Sequence, residues 1–161
     1  MSRLPSLGPR GEGWVLVQGV LFVLVAAAGV GVRAAVASPM AELLGLAGAT
    51  LVILGLGLAL AASGSLGRGG AFSALPRPRA GAALVASGPY RLVRHPIYGG
   101  IVIAAVGWAI ARHSLVAGAM AALLLAFFDL KRRREEAWLE ARFPAYAGYA
   151  ARTRRMIPWL Y

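Results

Sequence analysis

The chain has 161 residues and a formal net charge of +11, yet 59% of its residues are hydrophobic and only 14% are charged. The apolar residues fall in blocks too long for the core of a small soluble domain, which excludes an ordinary soluble protein and predicts an integral membrane protein. The chain has no cysteine, which excludes disulfides, a thiolate nucleophile and a cysteine-based metal site.

The first two apolar blocks, residues 14–32 and 40–62, predict two transmembrane helices. Each block is long enough to cross about 30 Å of hydrocarbon. The first block lacks the small-residue cleavage site of a signal peptide, so we interpret it as a membrane anchor. The many glycines and alanines inside the apolar blocks favour close packing between helices.

Residues 63–96 are predicted to form a loop, because much of this stretch is rich in Gly, Ser, Pro and Arg. Two shorter apolar runs follow, at 97–111 and 114–128, and together they predict a helical hairpin over 97–128. Each arm covers only about 22 Å. The hairpin therefore either extends into the charged stretch that follows or is re-entrant. Residues 129–161 complete a single predicted membrane domain.

The positive charges predict the topology. Arg33 is the only cation between the first two helices and Arg112 the only one at the hairpin tip, whereas five arginines lie in 63–96 and eight cations follow residue 130. By the positive-inside rule, both termini and the long loop are cytoplasmic. We therefore predict an all-α integral protein of the inner or plasma membrane with about four transmembrane helices and a cytoplasmic C-terminal helical segment. The basic charge is explained by topology, so we expect no nucleic-acid partner.

Polar residues cluster where the third helix is predicted to begin, in the run SGPYRLVRHPIYGG over 87–100. Pro96 suits the first position of a helix, and His95 would stand at its cap. Such a helix N-terminus favours an anion, while Gly99 and Gly100 would let another group approach the backbone. The alternative is that Pro96 only starts the helix, the tyrosines form an interfacial belt and the histidine is a surface cap.

A second polar cluster, KRRREE over 131–136, follows the fourth apolar run. On a helix, Lys131 and Glu135 would share one face, with Arg132 and Glu136 beside them. The positive-inside rule accounts for the cations. It does not account for the carboxylates, which are costly next to apolar helices unless a cationic group uses them. The aromatic and arginine-rich residues after 142 are typical of an interfacial amphipathic segment.

The ordered set of motifs over 82–158 resembles the isoprenylcysteine carboxyl methyltransferase family and the related phospholipid N-methyltransferases. The motifs are Gly-Pro-Tyr at 88–90, Arg-His-Pro-Ile-Tyr-Gly at 94–99, the apolar hairpin, the glutamate pair, and Phe143 with two later tyrosines. The resemblance implies a pocket for S-adenosylmethionine, closed by the C-terminal segment. It implies that this cofactor is lined by Leu84, Val85, Tyr90, His95, Pro96, Ile97, Tyr98 and Glu135.

The resemblance also implies an acceptor site. Carboxyl methyltransferases of this type place a substrate-binding arginine where this chain has Lys131, whose ammonium cannot form a bidentate pair with a carboxylate. We predict that Lys131 and Arg134 bind a lipid-like or prenylated acceptor that enters from the bilayer, and that no metal takes part. Carboxyl O-methylation is the predicted reaction. N-methylation of a phospholipid amine and a non-catalytic membrane scaffold are the alternatives.

Overall fold

The computed structural model describes residues 7–31, 34–69, 81 and 83–157, and the regular structure within these ranges is helical. This confirms the predicted all-α class for the described part of the chain. A short 3-10 turn, Gly88–Arg91, precedes the third helix, and one isolated parallel bridge joins Val93 to Arg154. The five α-helices are α1 Glu12–Val30, α2 Ser38–Arg68, α3 Pro96–Ala111, α4 Leu115–Arg142 and α5 Tyr146–Arg152.

Two of these helices, α1 with 19 residues and α2 with 31, are long and apolar enough to cross a membrane. Large apolar side chains such as Leu16 and Leu46 point outward from them and are exposed. An outward apolar surface of this kind suits lipid better than water. The third helix is apolar but has only 16 residues, or about 24 Å. The total of four crossings stays a prediction.

The second helix ends at Arg68, beyond the predicted limit at residue 62, so the start of the predicted loop is in fact helical. The two serines near its C-terminal end do not break the helix, because Ser63 and Ser65 donate their hydroxyls to the carbonyls four residues earlier. Residues 70–80 and 82 of the predicted loop lie outside the described residues. So do Val32, where the first helix was predicted to end, Arg33, and residues 158–161.

The fourth helix continues through the charged stretch after Phe128 and spans 28 residues, or about 42 Å. Extension of the hairpin's second arm, one of the two solutions open from the sequence, is therefore correct. Asp129 makes ion pairs with Arg132 and Arg133, and Arg132 also lies 3.5 Å from Glu136. These pairs along one helix compensate the carboxylates, so the charged turns remain helical.

Glycines bring α2 and α3 into close contact. A methyl group added to Gly55 would collide with the carbonyl oxygen of Gly100, and one added to Gly100 would collide with that of Gly55. Gly48 and Gly107 face each other in the same way about two turns further along the pair of helices. The predicted close packing is confirmed. The close approach predicted at Gly100 is confirmed, and the group that makes it is the backbone of α2, not a ligand.

Aromatic side chains pack α1 against α4. The Trp14 and Phe127 ring centroids are 5.7 Å apart, and those of Phe22 and Phe128 are 6.4 Å apart. Trp14, Phe127 and Phe128 belong to one buried apolar cluster that also contains Met156 from the C-terminal segment. The first half of α1 therefore lies against the part of α4 that leads to the glutamate pair.

Candidate functional site

The start of α3 is built as the sequence predicts. Pro96 occupies the first helical turn, and His95 is the N-cap residue, although its side chain makes no capping hydrogen bond. Upstream, Gly88 has a φ of +59°, a conformation that side chains rarely adopt, and it opens the 3-10 turn that contains the buried Tyr90. Because the His95 ring is not used as a cap, it can reach α4.

The glutamate pair of α4 meets the start of α3. His95 Nε2 lies 3.0 Å from Glu136 Oε1, and His95 Nδ1 lies 3.6 Å from Glu135 Oε2. Tyr98 donates its hydroxyl to Glu135 Oε2 at 2.9 Å, and its ring stacks on that of His95. The structure thus brings together the two polar clusters that the sequence places at the entrance of α3 and beyond the fourth apolar run.

The two glutamates differ in their surroundings. Arg94 Nε donates to Glu136 at 3.1 Å, and the Glu136 side chain is 16% exposed against 25% for Glu135. Burial acts to raise the pKa of Glu136, but the hydrogen bonds and charges of His95 and Arg94 outweigh it and lower this pKa to about 2. Glu136 is therefore held by the protein's own cations, while Glu135 is the more open carboxylate.

The C-terminal segment covers the start of α3. The amides of Arg94 and His95 donate to the carbonyls of Arg154 and Arg155 at 2.8 and 2.9 Å. Arg94 also donates through Nη1 to two carbonyls at the end of α5. A methyl group on Gly99 would collide with the Met156 carbonyl oxygen. The close approach predicted at Gly99 is therefore confirmed, but the C-terminal segment makes it and not a ligand.

Two tyrosines of α5 complete the enclosure. Tyr149 donates its hydroxyl to the carbonyl of Tyr90 at 2.9 Å. Tyr146 is only 1% exposed, and its hydroxyl has no hydrogen-bond partner among the described residues. Burial raises the pKa of Tyr149 to about 12, and burial followed by the charge of Glu136 raises that of Tyr146. Tyr146 therefore holds a neutral buried hydroxyl beside the carboxylates.

The amino-acid sequence of the chain matches a protein-family model. The model described as phospholipid methyltransferase matches residues 43–145, a range that includes the entrance of α3 and the glutamate pair. The chain belongs to this family. The phospholipid methyltransferase family comprises membrane methyltransferases that generally use S-adenosylmethionine. None of the curated proteins compared with the chain matches it.

In this phospholipid methyltransferase family member, the residues predicted to line the cofactor are partly buried or buried. Leu84 and Val85 are half-buried in the irregular segment before the 3-10 turn, and Val85 lies against Gly69 at the end of α2. In the first turn of α3, Pro96 is buried and Ile97 half-buried. Their contact with a cofactor stays a prediction.

The predicted acceptor-binding cations have partners within the protein. Lys131 is 1% exposed, donates through Nζ to Gln18 Oε1 at 2.5 Å and lies 5.3 Å from the centre of the Tyr98 ring. The guanidinium of Arg134 lies 4.8 Å from the centre of the Trp138 ring. Gln18 is a site residue that was not predicted from the sequence. An amide side chain in an apolar helix would have been a usable sign, since such groups usually face a partner.

The ion pair between Arg94 and Glu136, and the contact of Glu136 with His95, were also not predicted from the sequence. Arg94 and Glu136 are both in recognisable motifs, but nothing in their spacing indicates that Arg94 joins α5 to Glu136. Within the described residues there is no group of three or more His, Asp or Glu side chains that could hold a metal ion. The site therefore offers carboxylates, hydroxyls and ammonium or guanidinium groups as its binding chemistry.

Proposed function

We propose that this chain transfers a methyl group from S-adenosylmethionine to a lipid-like acceptor at the cytoplasmic face of the membrane. The observation that carries the proposal is the convergence of His95, Tyr98 and Glu135. Family membership supports a membrane methyltransferase with this cofactor. The orientation rests on the charge distribution, because Arg91, Arg133 and other exposed arginines surround this end of the helices.

The groups at the site fit S-adenosylmethionine. The more open carboxylate, that of Glu135, suits the cofactor's ammonium group. The buried Tyr146 hydroxyl, which has no partner among the described residues, supplies a hydrogen-bond donor beside it. Leu84 and Val85, which precede the Gly-Pro-Tyr motif, and Ile97, in the first turn of α3, offer apolar side chains for the rest of the cofactor. When bound, the cofactor supplies an electrophilic methyl group on a sulfonium.

Methyl transfer from a sulfonium is an in-line displacement that needs no covalent enzyme intermediate, so alignment and the exclusion of water account for most of the catalysis. The hydrogen bond from Tyr98 and the nearby His95 ring fix the Glu135 carboxylate in one orientation. Residues 154–156, which lie over the start of α3, exclude water. No side chain is required to act as a general base.

The acceptor that we propose first is a lipid carboxylate. Lys131 is a buried cation close to Tyr98, and with Arg134 it would orient a negatively charged acceptor. Replacing Lys131 by methionine should then greatly reduce methylation, since the charge is lost while most of the length of the side chain is kept. The second candidate is N-methylation of a phospholipid amine, which the family description favours. An amine acceptor should tolerate the loss of Lys131 better.

Binding of S-adenosylhomocysteine to the purified protein in detergent tests the proposal. A ligand that binds only the folded state raises the thermal midpoint, and the stabilisation grows with the logarithm of the ratio of ligand concentration to dissociation constant. We expect clear stabilisation of the wild type, much less for Glu135→Gln, and wild-type behaviour for Glu140→Gln, which removes an exposed carboxylate of the same helix. The absence of stabilisation in the wild type would favour a non-catalytic scaffold instead.

A second measurement addresses the acceptor. Membranes that contain the protein are incubated with cofactor carrying a labelled methyl group, and lipids, small molecules and proteins are separated. The label should enter a lipid fraction in a manner that depends on Glu135. A base-labile label indicates a methyl ester and therefore a carboxylate acceptor, whereas a base-stable label in a head group indicates an amine.

A further inference from the structure

The first helix contacts the candidate site although it lies outside the range matched by the family model, residues 43–145. Gln18 of α1 accepts a hydrogen bond from Lys131, the Lys131 ammonium lies over the Tyr98 ring, and Tyr98 donates to Glu135. A continuous set of contacts therefore runs from α1 to the proposed cofactor-binding carboxylate. The first helix is therefore part of the structure around this carboxylate.

Trp14 presents a second polar group on α1. Its side chain is buried, with 4% exposure for the residue, and its indole N–H has no hydrogen-bond partner among the described residues. Leaving a buried donor unsatisfied destabilises the folded state. A tryptophan that anchors a helix at the membrane surface turns its ring towards the lipid head groups. Trp14 instead packs inside, against Phe127, so anchoring does not account for it.

Trp14 and Lys131 lie on facing surfaces of two helices. Trp14 and Gln18 are one turn apart on α1, and their partners Phe127 and Lys131 are one turn apart on α4. The indole N–H and the ammonium can both donate hydrogen bonds, and neither can accept one. A group that binds between two such donors must present acceptor oxygens, and a negative charge on it would strengthen both bonds.

We propose that α1 and α4 form a binding site for an anionic oxygen group of a lipid, with Trp14 Nε1 and Lys131 Nζ as donors. Gln18 is a positioning residue that holds the ammonium towards α1. The identification of this lipid as the methyl acceptor rests on the proposed function. The shared chemistry is an oxyanion, which a carboxylate or a phosphate group can supply.

Binding of three tritiated lipids to the full chain in dodecyl maltoside tests the proposal. The probes are oleate, which carries a carboxylate, lysophosphatidic acid, which carries a phosphate, and monooleoylglycerol, which is neutral and has the same acyl chain. Trp14→Phe removes the N–H and keeps an aromatic ring against Phe127. Trp108→Phe is the matched control. Its buried N–H also lacks a partner among the described residues, but it lies beside Gly29, at the other end of α1.

The expected result is a selectivity that depends on α1. Wild-type protein should bind at least one anionic probe about tenfold more tightly than the neutral one, and Trp14→Phe should lose most of that difference, as expected for a hydrogen bond to a charged group. Trp108→Phe should behave as wild type. Gln18→Glu should weaken anionic binding and leave neutral binding unchanged, whereas a merely structural role predicts no change in this ratio. The tighter of the two anionic probes identifies the oxyanion.

Two results would overturn this inference: equal binding of all three probes by the wild type, or unchanged selectivity in Trp14→Phe. The first of these does not depend on whether any variant folds. The proposed function is tested separately, because its test is the binding of S-adenosylhomocysteine. Protein that binds this nucleoside but does not select anionic lipids contradicts only the lipid site, and protein that selects anionic lipids but does not bind the nucleoside contradicts only the methyltransferase.

Discussion

The ring of His95 donates to Glu136, since Nε2 lies 3.0 Å from a carboxylate whose pKa is about 2 and which therefore only accepts hydrogen bonds at neutral pH. The other ring nitrogen, Nδ1, faces Glu135 at 3.6 Å. Adjacent glutamates thus have different duties. Glu136 binds the histidine and Arg94, while Glu135 accepts the hydrogen bond of Tyr98 and is the more exposed of the two.

The lowered pKa of Glu136 predicts acid sensitivity. In the unfolded chain this carboxyl group titrates near 4.5, and in the folded protein near 2, so its stabilising contribution is complete above pH 4.5 and is lost as the pH falls towards 2. The difference corresponds to on the order of 3 kcal/mol. Thermal unfolding in detergent between pH 7 and pH 3 should show a decline that is much smaller in Glu136→Gln.

The control for the pH experiment is Glu140→Gln, which removes an exposed carboxylate from the same helix. Its pH profile should match that of the wild type. If Glu136→Gln declines with acid as steeply as the wild type, other carboxyl groups account for the effect and the strong coupling of Glu136 to His95 and Arg94 is wrong.

The two tyrosines of α5 predict opposite phenotypes when each is changed to phenylalanine. Tyr149→Phe removes a hydrogen bond to the Tyr90 carbonyl and should reduce stability by about 1 kcal/mol. Tyr146→Phe removes a buried hydroxyl with no partner among the described residues, so stability should be unchanged or higher. Affinity for S-adenosylhomocysteine should fall about fivefold or more in Tyr146→Phe, measured by calorimetry. Equal affinity in wild type and Tyr146→Phe would exclude this hydroxyl from cofactor binding.

Arg94 is predicted to hold the C-terminal segment closed. Arg94→Gln removes the bonds to Glu136 and to the carbonyls of Ala150 and Thr153, and it should destabilise the protein by about 3–5 kcal/mol because buried acceptors lose their charged donor. Trypsin should then cleave after Arg152, Arg154 and Arg155 faster than in wild type. Arg91→Gln, a change at an exposed arginine, should leave cleavage and stability unaltered. Identical cleavage rates in both variants would mean that Arg94 does not hold this segment.

Glycines on α2 predict opposite effects of the same substitution. Gly55→Ala places a methyl group against the backbone of α3 and should strongly reduce the thermal midpoint. Gly57→Ala places one in open space and should stabilise the helix by about 0.5–1 kcal/mol. Thermal unfolding of both variants in detergent measures the difference. A tolerated Gly55→Ala would contradict the close contact of α2 and α3.

The sequence predicted the helices well where the apolar pattern was long and failed where polar residues stayed helical. The C-terminal end of α2 illustrates this. Its serines and glycines over 63–68 are typical of a loop, yet hydrogen bonds from Ser63 and Ser65 to backbone carbonyls keep the helix intact. The sequence did not decide whether α4 extends beyond Phe128, because the charged stretch that follows contains no residue that ends a helix. The number of crossings and the side of the membrane remain predictions.

For the site, the motifs correctly indicated that the start of α3 and the glutamate pair meet, since His95 and Glu135 are in contact range. The motifs could not indicate which glutamate the histidine binds, because both lie on neighbouring faces of one helix. The contact of Lys131 with Gln18 depends on how α1 packs on α4, and sequence spacing carries no information on that. The sequence could not show that Met156 packs against Gly99, because the two residues are more than fifty positions apart.

The backbone pairing of residues 92–95 with 154–155 has a consequence for biosynthesis. The ribosome delivers α1 to α4 to the membrane before it releases the segment that lies over α3. Helices can therefore insert and associate before the start of α3 is covered, and the contacts of residues 154–155 with residues 92–95 form only after insertion. A nascent chain stalled within α5 would have its helices in the membrane but would lack the cover that the proposed cofactor site requires.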